Sequence, residues 1–148
     1  MATGENRLEE NKAVVREFYE RLNAHDLTVV DERFAADFTP GMGRVGSDEP
    51  VVGREGVRAI YEEYLEAFPD VRADIDALLA EGNQVAAFYT MRGTHEGTFR
   101  SIEPTGNEVE FSVVSLFTIE DGEIVASKGQ AGLMELVGQL GVDIPLKA

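Results

Sequence analysis

The side chains in this sequence that could perform acid–base chemistry are two histidines and an excess of carboxylates. His95 follows a run of strand-like residues, and because an imidazole titrates near neutral pH it is a candidate proton donor or acceptor. The alternative, which the surrounding turn-like residues favour, is a structural histidine held by backbone hydrogen bonds. His25 lies in the polar turn Asn23 to Asp26 and is expected to face solvent.

The absence of cysteine excludes disulfides, thiolate catalysis and cysteine-ligated metals. With two histidines far apart in sequence, a transition-metal site would need ligands from distant segments. The sequence therefore predicts neither a metal site nor a cofactor.

The charge balance excludes polyanionic partners. The chain has 28 acidic and 13 basic residues, a formal net charge of −15, so it repels nucleic-acid phosphates and anionic lipid headgroups. Only Lys12, Lys128 and Lys147 are lysines, and excess carboxylate with scarce lysine is typical of a salt-adapted, halophilic surface. An ordinary acidic protein is the alternative.

Size and hydropathy indicate one domain over residues 1–148, because 148 residues suffice for one core. The first ten residues are polar and lack an apolar signal segment, and nowhere do 18 apolar residues follow one another. We expect a cytoplasmic protein without membrane partners.

The spacing of apolar residues predicts helices over residues 5–24, 27–34, 53–68 and 132–140. Asp26 is expected to cap the second helix, and Pro69 stops the third. Residues 37–52, rich in glycine and proline, are predicted to form an irregular loop.

After Pro69 the spacing of the apolar residues changes from the helical period to a period of two. Apolar residues occupy the odd positions from Val71 to Leu79, which predicts a strand with one buried face and places Asp74 and Asp76 on the outer face. Further strands are predicted over 84–94, 109–119 and 123–130, with hairpin turns at Gly82 and Gly122.

Helices followed by hairpin-linked strands predict an α+β fold, with the N-terminal helices packed on a curved antiparallel sheet. A pocket is expected between the helices and the sheet. Its lining would use flat or flexible apolar side chains, and simple core packing is the alternative for each of them. The candidates are Tyr64, Tyr89, Met91, Phe111 and Phe117.

Several short strings, in order along residues 11–141, resemble the SnoaL-like polyketide cyclases, or ester cyclases, of the NTF2-like superfamily. The strings are Phe18-Tyr19 with Asn23, His25 and Asp26; Val51 to Tyr61; Arg92 to Gly97; Pro104-Thr105-Gly106; Phe111 to Ile119 with Asp121-Gly122; and Gln139-Leu140-Gly141.

The resemblance implies a cone-like α+β barrel, a homodimer, and a pocket for an apolar small molecule. It also implies three catalytic positions: an acid–base aspartate at Gly129, and a glutamine and a histidine at Val113 and Ser115. This chain carries none of those three side chains, so the family's catalytic aspartate is missing.

The polar groups nearest those positions are Ser115, Lys128 and Gln130, which with His95 are the candidate catalytic residues. Val113 and Gly129 join the candidate pocket lining. Two functions stay open: a divergent cyclase, isomerase or hydrolase that uses these groups, and a non-catalytic ligand-binding or dimerisation module.

Overall fold

The computed structural model describes residues 4–40, 53–99 and 101–141. Within these ranges the helices are α1 (Gly4–Asn23), α2 (Thr28–Arg33), α3 (Gly53–Ala67) and α4 (Leu133–Gln139), and the strands are β1 (Phe34–Pro40), β2 (Arg72–Glu81), β3 (Gln84–Thr94), β4 (Glu108–Glu120) and β5 (Glu123–Ala131). The α+β fold predicted from the sequence is confirmed. None of the described helices is long and apolar enough to cross a membrane.

The first helix forms because its apolar residues lie on one face. Val15, Phe18 and Tyr19 are at most 1% exposed, while the charged residues between them point outward. The chain leaves α1 at His25, whose φ of 60° ends the helix. Asp26 Oδ1 then accepts a hydrogen bond at 3.1 Å from the backbone N–H of Thr28, the first residue of α2. The N-cap position of α2 is nevertheless Leu27, which forms no side-chain cap, and not the predicted Asp26.

The five strands form one curved, unclosed sheet in the order β1-β5-β4-β3-β2. All neighbouring pairs are antiparallel except β1 and β5, which are parallel. The strand β1 is not among the elements that the sequence predicts, which places the end of the second helix and the start of the loop here. The rest of that predicted loop, residues 41–52, lies outside the described residues.

A β-bulge in β2 corrects the predicted burial of this strand. The register with β3 shifts between Ile75, which pairs with Tyr89, and Ala77, which pairs with Phe88. Because one extra residue exchanges the two faces of a strand, the odd positions after the bulge point outward. Leu79 is consequently 62% exposed rather than buried.

The core lies between the helices and the inner face of the sheet. On β4 each second residue is buried, from Val109 to Ile119, and on β3 the same alternation buries Val85, Ala87, Tyr89 and Met91. Burial of each large apolar side chain stabilises the fold by about 1.5–3 kcal/mol. The inner face therefore holds α1 over β2 and β3, while α3 packs mainly against β1.

A side-chain amide joins α1 to the free edge of the sheet. Asn23 Nδ2 donates to the Ala73 carbonyl oxygen at 2.8 Å, and the Ala73 N–H donates to Asn23 Oδ1 at 2.7 Å. The amide thus forms the pair of hydrogen bonds that a further strand would form with β2.

Candidate functional site

The predicted catalytic positions on β4 and β5 lie on the inner face of the sheet. Ser115 is 6% exposed and Val113 is 7% exposed. Ser115 pairs with Gly129, and Val113 pairs with Ala131. The antiparallel pairing therefore brings Ser115 and Gly129 side by side, facing the helices.

Position 129 has no room for a side chain. A Cβ atom on Gly129 would lie 2.8 Å from the Val114 carbonyl oxygen and 2.9 Å from Ser115 Oγ. Both distances are shorter than real Cβ contacts, and one of the two atoms belongs to the backbone. An aspartate at this position is thus incompatible with the present spacing of β4 and β5.

Three tyrosines contact the inner face beside Ser115. Tyr19 on α1 and Tyr89 on β3 have ring centroids 4.5 Å apart, and the hydroxyls of Tyr19, Tyr61 and Ser115 all act on the pKa of Tyr89. We call Tyr19, Tyr61, Tyr89 and Ser115 the hydroxyl cluster. Four elements, α1, α3, β3 and β4, each contribute one member.

Burial keeps the tyrosines of this cluster protonated. Desolvation raises the pKa of Tyr19 and of Tyr61 well above the ordinary value. Tyr61 as a whole is half-buried, and desolvation is still the main cause of its raised pKa. Burial also raises the pKa of Tyr89, and the hydroxyls of Tyr19, Ser115 and Tyr61 oppose that rise.

The Tyr19 hydroxyl is the unsatisfied member of the cluster. It is close enough to Tyr89 and Ser115 for both to affect its pKa, yet it is buried and makes no hydrogen bond of normal geometry. A buried hydroxyl without a partner costs about 1–3 kcal/mol. The Tyr19 hydroxyl is therefore a polar group left without a hydrogen bond inside the core.

The cluster can donate hydrogen bonds but cannot abstract protons near neutral pH. A phenol with a raised pKa stays neutral there, and a serine hydroxyl needs a neighbouring base to become a nucleophile. Among the described residues, no lysine, arginine or carboxylate contributes to the shifted pKa of these tyrosines. The arrangement suits an uncharged oxygen atom of a ligand.

His95 lies away from the hydroxyl cluster. It follows β3, and Ser115 pairs with Ala87, so His95 is eight residues further along an extended chain, on the order of 25 Å. Its Nδ1 accepts a hydrogen bond from the Thr105 N–H at 3.1 Å, and its backbone bonds to Asn107 and Gly106. Nε2 is buried without a partner.

The loop that contains His95 packs against the end of α3. The backbone N–H groups of Glu96 and Gly97 both donate to the Ala67 carbonyl oxygen at 3.0 Å. A Cβ atom on Gly97 would lie 2.0 Å from the Glu66 carbonyl oxygen. These contacts give the Arg92 to Gly97 string a role in folding.

Lys128 and Gln130 lie on the opposite face of the sheet from Ser115. They pair with Leu116 and Val114, which point outward, and both side chains are exposed. The four candidate catalytic residues Ser115, His95, Lys128 and Gln130 are therefore not brought together.

The candidate pocket residues are mostly together. The inner face of the sheet carries the buried side chains Tyr89, Met91, Phe111, Val113 and Phe117. Tyr64 lies on α3, partly buried, with its ring stacked on Phe99 at a centroid distance of 5.8 Å. In the described part of the chain, no three His, Asp or Glu side chains are grouped to hold a metal ion.

Sequence reasoning did not identify Tyr19 and Tyr61 as site residues. In the sequence both belong to the apolar stripes of their helices, which indicate burial and not a site. The available signal was chemical: a tyrosine on a buried helix face carries a hydroxyl that needs a partner.

Comparison with known proteins places this architecture in a defined group. The family model described as SnoaL-like polyketide cyclase matches residues 13–140. No curated protein matches the sequence.

Several solved structures are similar over nearly the whole chain. IdmH from Streptomyces antibioticus, a candidate polyketide cyclase, is 27% identical with a TM-score of 0.79, over 89% of this chain and 99% of its own. AclR from Streptomyces galilaeus, a candidate hydroxylase, is 27% identical with a TM-score of 0.80, over 90% of this chain and 97% of its own. A SnoaL-like protein from Jannaschia sp. CCS1 shares the fold at 21% identity, with a TM-score of 0.80 over 92% and 94% of the two chains.

Proposed function

Because the chain belongs to the SnoaL-like polyketide cyclase family, we propose that it binds an apolar small molecule between its helices and the inner face of its sheet. The observation that supports this most is the convergence of four hydroxyl groups from four separate elements in aromatic surroundings. A core without a ligand gains nothing from collecting polar groups at its centre. The hydroxyl cluster would be the polar end of the site.

The rings around the cluster define the rest of the ligand. Phe18 and Phe117 flank Tyr19, at centroid distances of 4.8 and 6.2 Å, and Tyr61 meets Phe18 edge to face at 5.5 Å. Surfaces of this kind favour flat, apolar molecules. The cluster would orient one polar atom of such a molecule.

The same arrangement favours binding over the acid–base chemistry of a cyclase, isomerase or hydrolase. Proton removal next to a carbonyl needs a group that accepts a proton near neutral pH. The cluster lacks one, and His95, Lys128 and Gln130 lie elsewhere. We therefore propose a ligand-binding protein whose polar contacts are hydrogen bonds.

The test is binding of N-phenyl-1-naphthylamine, a neutral apolar dye whose fluorescence rises in an apolar site. The native protein should bind it saturably. Ala131→Trp, which fills the inner face opposite Val113, should abolish binding. Ser112→Trp, on the outer face of β4, should leave binding unchanged. Equal loss in both variants, or no binding to the native protein, would refute an inner-face site.

Mass spectrometry of small molecules released from the purified protein gives a second readout. A molecule retained by the native protein and missing from Ala131→Trp would identify the ligand directly.

The outer face of the sheet favours a second proposal, a homodimer. Four large apolar side chains are exposed there, and we call them the outer patch: Leu79 (62%), Phe88 (42%), Val114 (36%) and Leu116 (36%). Two grooves, of about 440 and 310 Å³, lie along this patch. Contiguous exposed apolar surface of this kind is typical of association sites.

Charge points to a second copy of the chain as the partner. A chain of net charge −15 repels itself except through a neutral surface, and the patch is bordered by Asp76 on β2 and Lys128 on β5. A two-fold axis parallel to the strands would set the β2 side of one copy over the β5 side of the other. Each Asp76 would then approach a Lys128.

Light scattering tests the homodimer. We expect a mass of twice 16.2 kDa at micromolar concentration, the monomer mass for Leu116→Glu, and the dimer mass for Ala59→Glu on the exposed side of α3. A native monomer, or a Leu116→Glu dimer, would exclude this interface.

A further inference from the structure

The strand β2 forms one edge of the sheet, since among the described strands only β3 lies beside it. The hairpin that joins β2 to β3 sets which backbone groups of β2 point away from the sheet. Glu81 pairs with Gln84 across a two-residue turn, and in such a hairpin the pair next to the turn exchanges both hydrogen bonds. Alternation along the strand then directs the N–H and C=O groups of Leu78 and Ala80 to the open side.

The contact between α1 and β2 agrees with this alternation. On the far side of the bulge the backbone groups of Ala73 also point to the open side. There Asn23 Nδ2 donates to the Ala73 carbonyl oxygen at 2.8 Å, and the Ala73 N–H donates to Asn23 Oδ1 at 2.7 Å. No backbone hydrogen bond from another described segment reaches Leu78 or Ala80. The edge of β2 is therefore open over residues 77–81.

The open segment is apolar along most of its length. Proline and lysine, which commonly protect a sheet edge from pairing, are absent from it. Leu79 lies on the outer face and is 62% exposed. Unpaired backbone groups beside an exposed apolar side chain are what an edge needs in order to accept a further strand. The segment consists of Ala77, Leu78, Leu79, Ala80 and Glu81.

Carboxylates without a cation lie at both ends of the open segment. Asp76 precedes it and Glu81 ends it, and both side chains are exposed. Asp76 accepts a hydrogen bond from Thr90 Oγ1 at 2.8 Å, but neither carboxylate forms an ion pair with a described residue. The two ends of the segment therefore favour a partner with positive charge at both of its own ends.

Charge also decides against a second copy of this chain as the partner on this edge. Antiparallel pairing of two β2 edges would bring Asp76 of one copy beside Glu81 of the other, and like charges on neighbouring strands are destabilising. A basic segment would instead meet opposite charge at both ends. The net charge of −15 attracts such a segment from a distance.

We propose that the edge of β2 over residues 77–81 binds an extended segment of another protein, about five residues long, which adds a strand to the sheet. The segment would pair antiparallel with β2, with an apolar residue beside Leu79 and a lysine or arginine at each end. Its backbone would exchange hydrogen bonds with Leu78 and Ala80. The Asn23 amide limits its length at one end and the hairpin turn at the other.

The probe is the acetylated and amidated pentapeptide Lys-Thr-Val-Thr-Lys, titrated into isotope-labelled native protein and followed by NMR. Its valine would lie opposite Leu79, and the backbone groups of its threonines would face Leu78 and Ala80. At millimolar peptide, the amide signals of Leu78 and Ala80 should shift to lower field, and these amides should exchange with solvent more slowly. The amide signals of β1 and β5 should not change.

Two matched peptides separate backbone pairing from charge. The same peptide with N-methyl groups on both threonines lacks the donors that would face the edge, so it should not bind. Glu-Thr-Val-Thr-Glu keeps the backbone and the valine but reverses the charge at both ends. It should bind at least about tenfold more weakly than the basic peptide.

Variants of the protein test the same two contributions. Ala80→Pro removes one donor from the edge and leaves the pairing with β3 intact, because this N–H faces away from β3. It should lose peptide binding and still unfold cooperatively. Asp76→Asn/Glu81→Gln should weaken binding of the basic peptide about threefold or more. Glu62→Gln/Glu103→Gln changes the net charge equally, away from the edge, and should bind as the native protein does.

Four results would overturn the proposal. The first is an absence of change at Leu78 and Ala80 with millimolar basic peptide, and the second is equal binding of the N-methylated peptide. The third is equal binding of the acidic and basic peptides. The fourth is slower exchange of these two amides as the concentration of peptide-free protein rises, which would assign the edge to a second copy of the chain.

Discussion

The side-chain amide of Gln139 forms with Glu110 both hydrogen bonds that a neighbouring strand would form. The Glu110 N–H donates to Gln139 Oε1 at 2.6 Å, and Gln139 Nε2 donates to the Glu110 carbonyl oxygen at 2.8 Å. The pairing of β5 with β4 ends at Val113, so this amide continues the sheet edge beyond β5. It also fixes the end of α4 to β4.

Gln139→Glu should therefore destabilise the protein by about 1 kcal/mol or more, because a carboxylate accepts from the Glu110 N–H but repels its carbonyl oxygen. Urea unfolding measures the change. Gln84→Ala, an exposed glutamine at the start of β3, is the control and should stay within about 0.5 kcal/mol of the native protein. Equal stability of Gln139→Glu and the native chain would show that the amide bridge contributes nothing.

Two glycine substitutions should have opposite effects. Gly97→Ala sets a Cβ against the Glu66 carbonyl oxygen at 2.0 Å and should destabilise the fold by about 2 kcal/mol or more, as overpacking does. Gly138→Ala, in α4 with nothing within 4 Å of its Cβ, should be neutral or stabilise by about 0.5–1 kcal/mol. Similar melting temperatures for the two variants would contradict the crossing of the His95 loop over α3.

The stability should fall in alkaline solution because of the buried phenols. Unfolded tyrosine has a pKa of about 10, and burial raises the pKa of Tyr19, Tyr61 and Tyr89 in the folded protein. The unfolded chain therefore releases protons that the folded chain keeps. The free energy of unfolding is expected to be insensitive to these groups below about pH 9 and to decrease above about pH 10.

Removing one of the buried tyrosines should reduce the slope with which the free energy of unfolding decreases with pH. Tyr89→Phe is expected to lower it by up to about 1.4 kcal/mol per pH unit, measured by urea unfolding at increasing pH, and Thr90→Val should keep the native slope. A slope unaffected by Tyr89→Phe would mean that its phenol titrates normally in the folded protein.

Salt should stabilise the chain if its surface is salt-adapted, as we propose from its composition. At molar KCl the screening length is about 3 Å, which suppresses the repulsion within a chain of charge −15. We expect the melting temperature to rise from dilute buffer to molar KCl. The rise should be smaller in Glu20→Gln/Glu62→Gln/Glu103→Gln, and a melting temperature indifferent to KCl would refute the proposal.

Most elements of the fold could be predicted because their sequence periods are strong. The strand β4 was predicted as residues 109–119 and extends from Glu108 to Glu120. The short strand β1 was not, because it lacks an alternating pattern and pairs with β5, which is distant in sequence. Leu79 points outward because of the bulge in β2. Neither this bulge nor the pairing of β1 with β5 has a local sequence signal.

The candidate site was partly predictable for a similar reason. Strand alternation places Tyr89 and Ser115 on the inner face and, applied to β5, separates Lys128 and Gln130 from Ser115. The apolar stripe of α1 predicts which side of the helix is buried. It does not predict where in the core the Tyr19 hydroxyl lies. The meeting of Tyr19, Tyr61 and Tyr89 is a tertiary property, set by how the helices cross the sheet.

The missing side chain at Gly129 has a consequence for how this protein can change over time. A single substitution to aspartate would set a Cβ 2.8 Å from the Val114 carbonyl oxygen, so β4 and β5 must move apart before that position can carry a carboxylate. Introducing a carboxylate there therefore requires at least two coordinated changes, one of which only alters the spacing of the strands. The spacing of β4 and β5 thus keeps glycine at position 129.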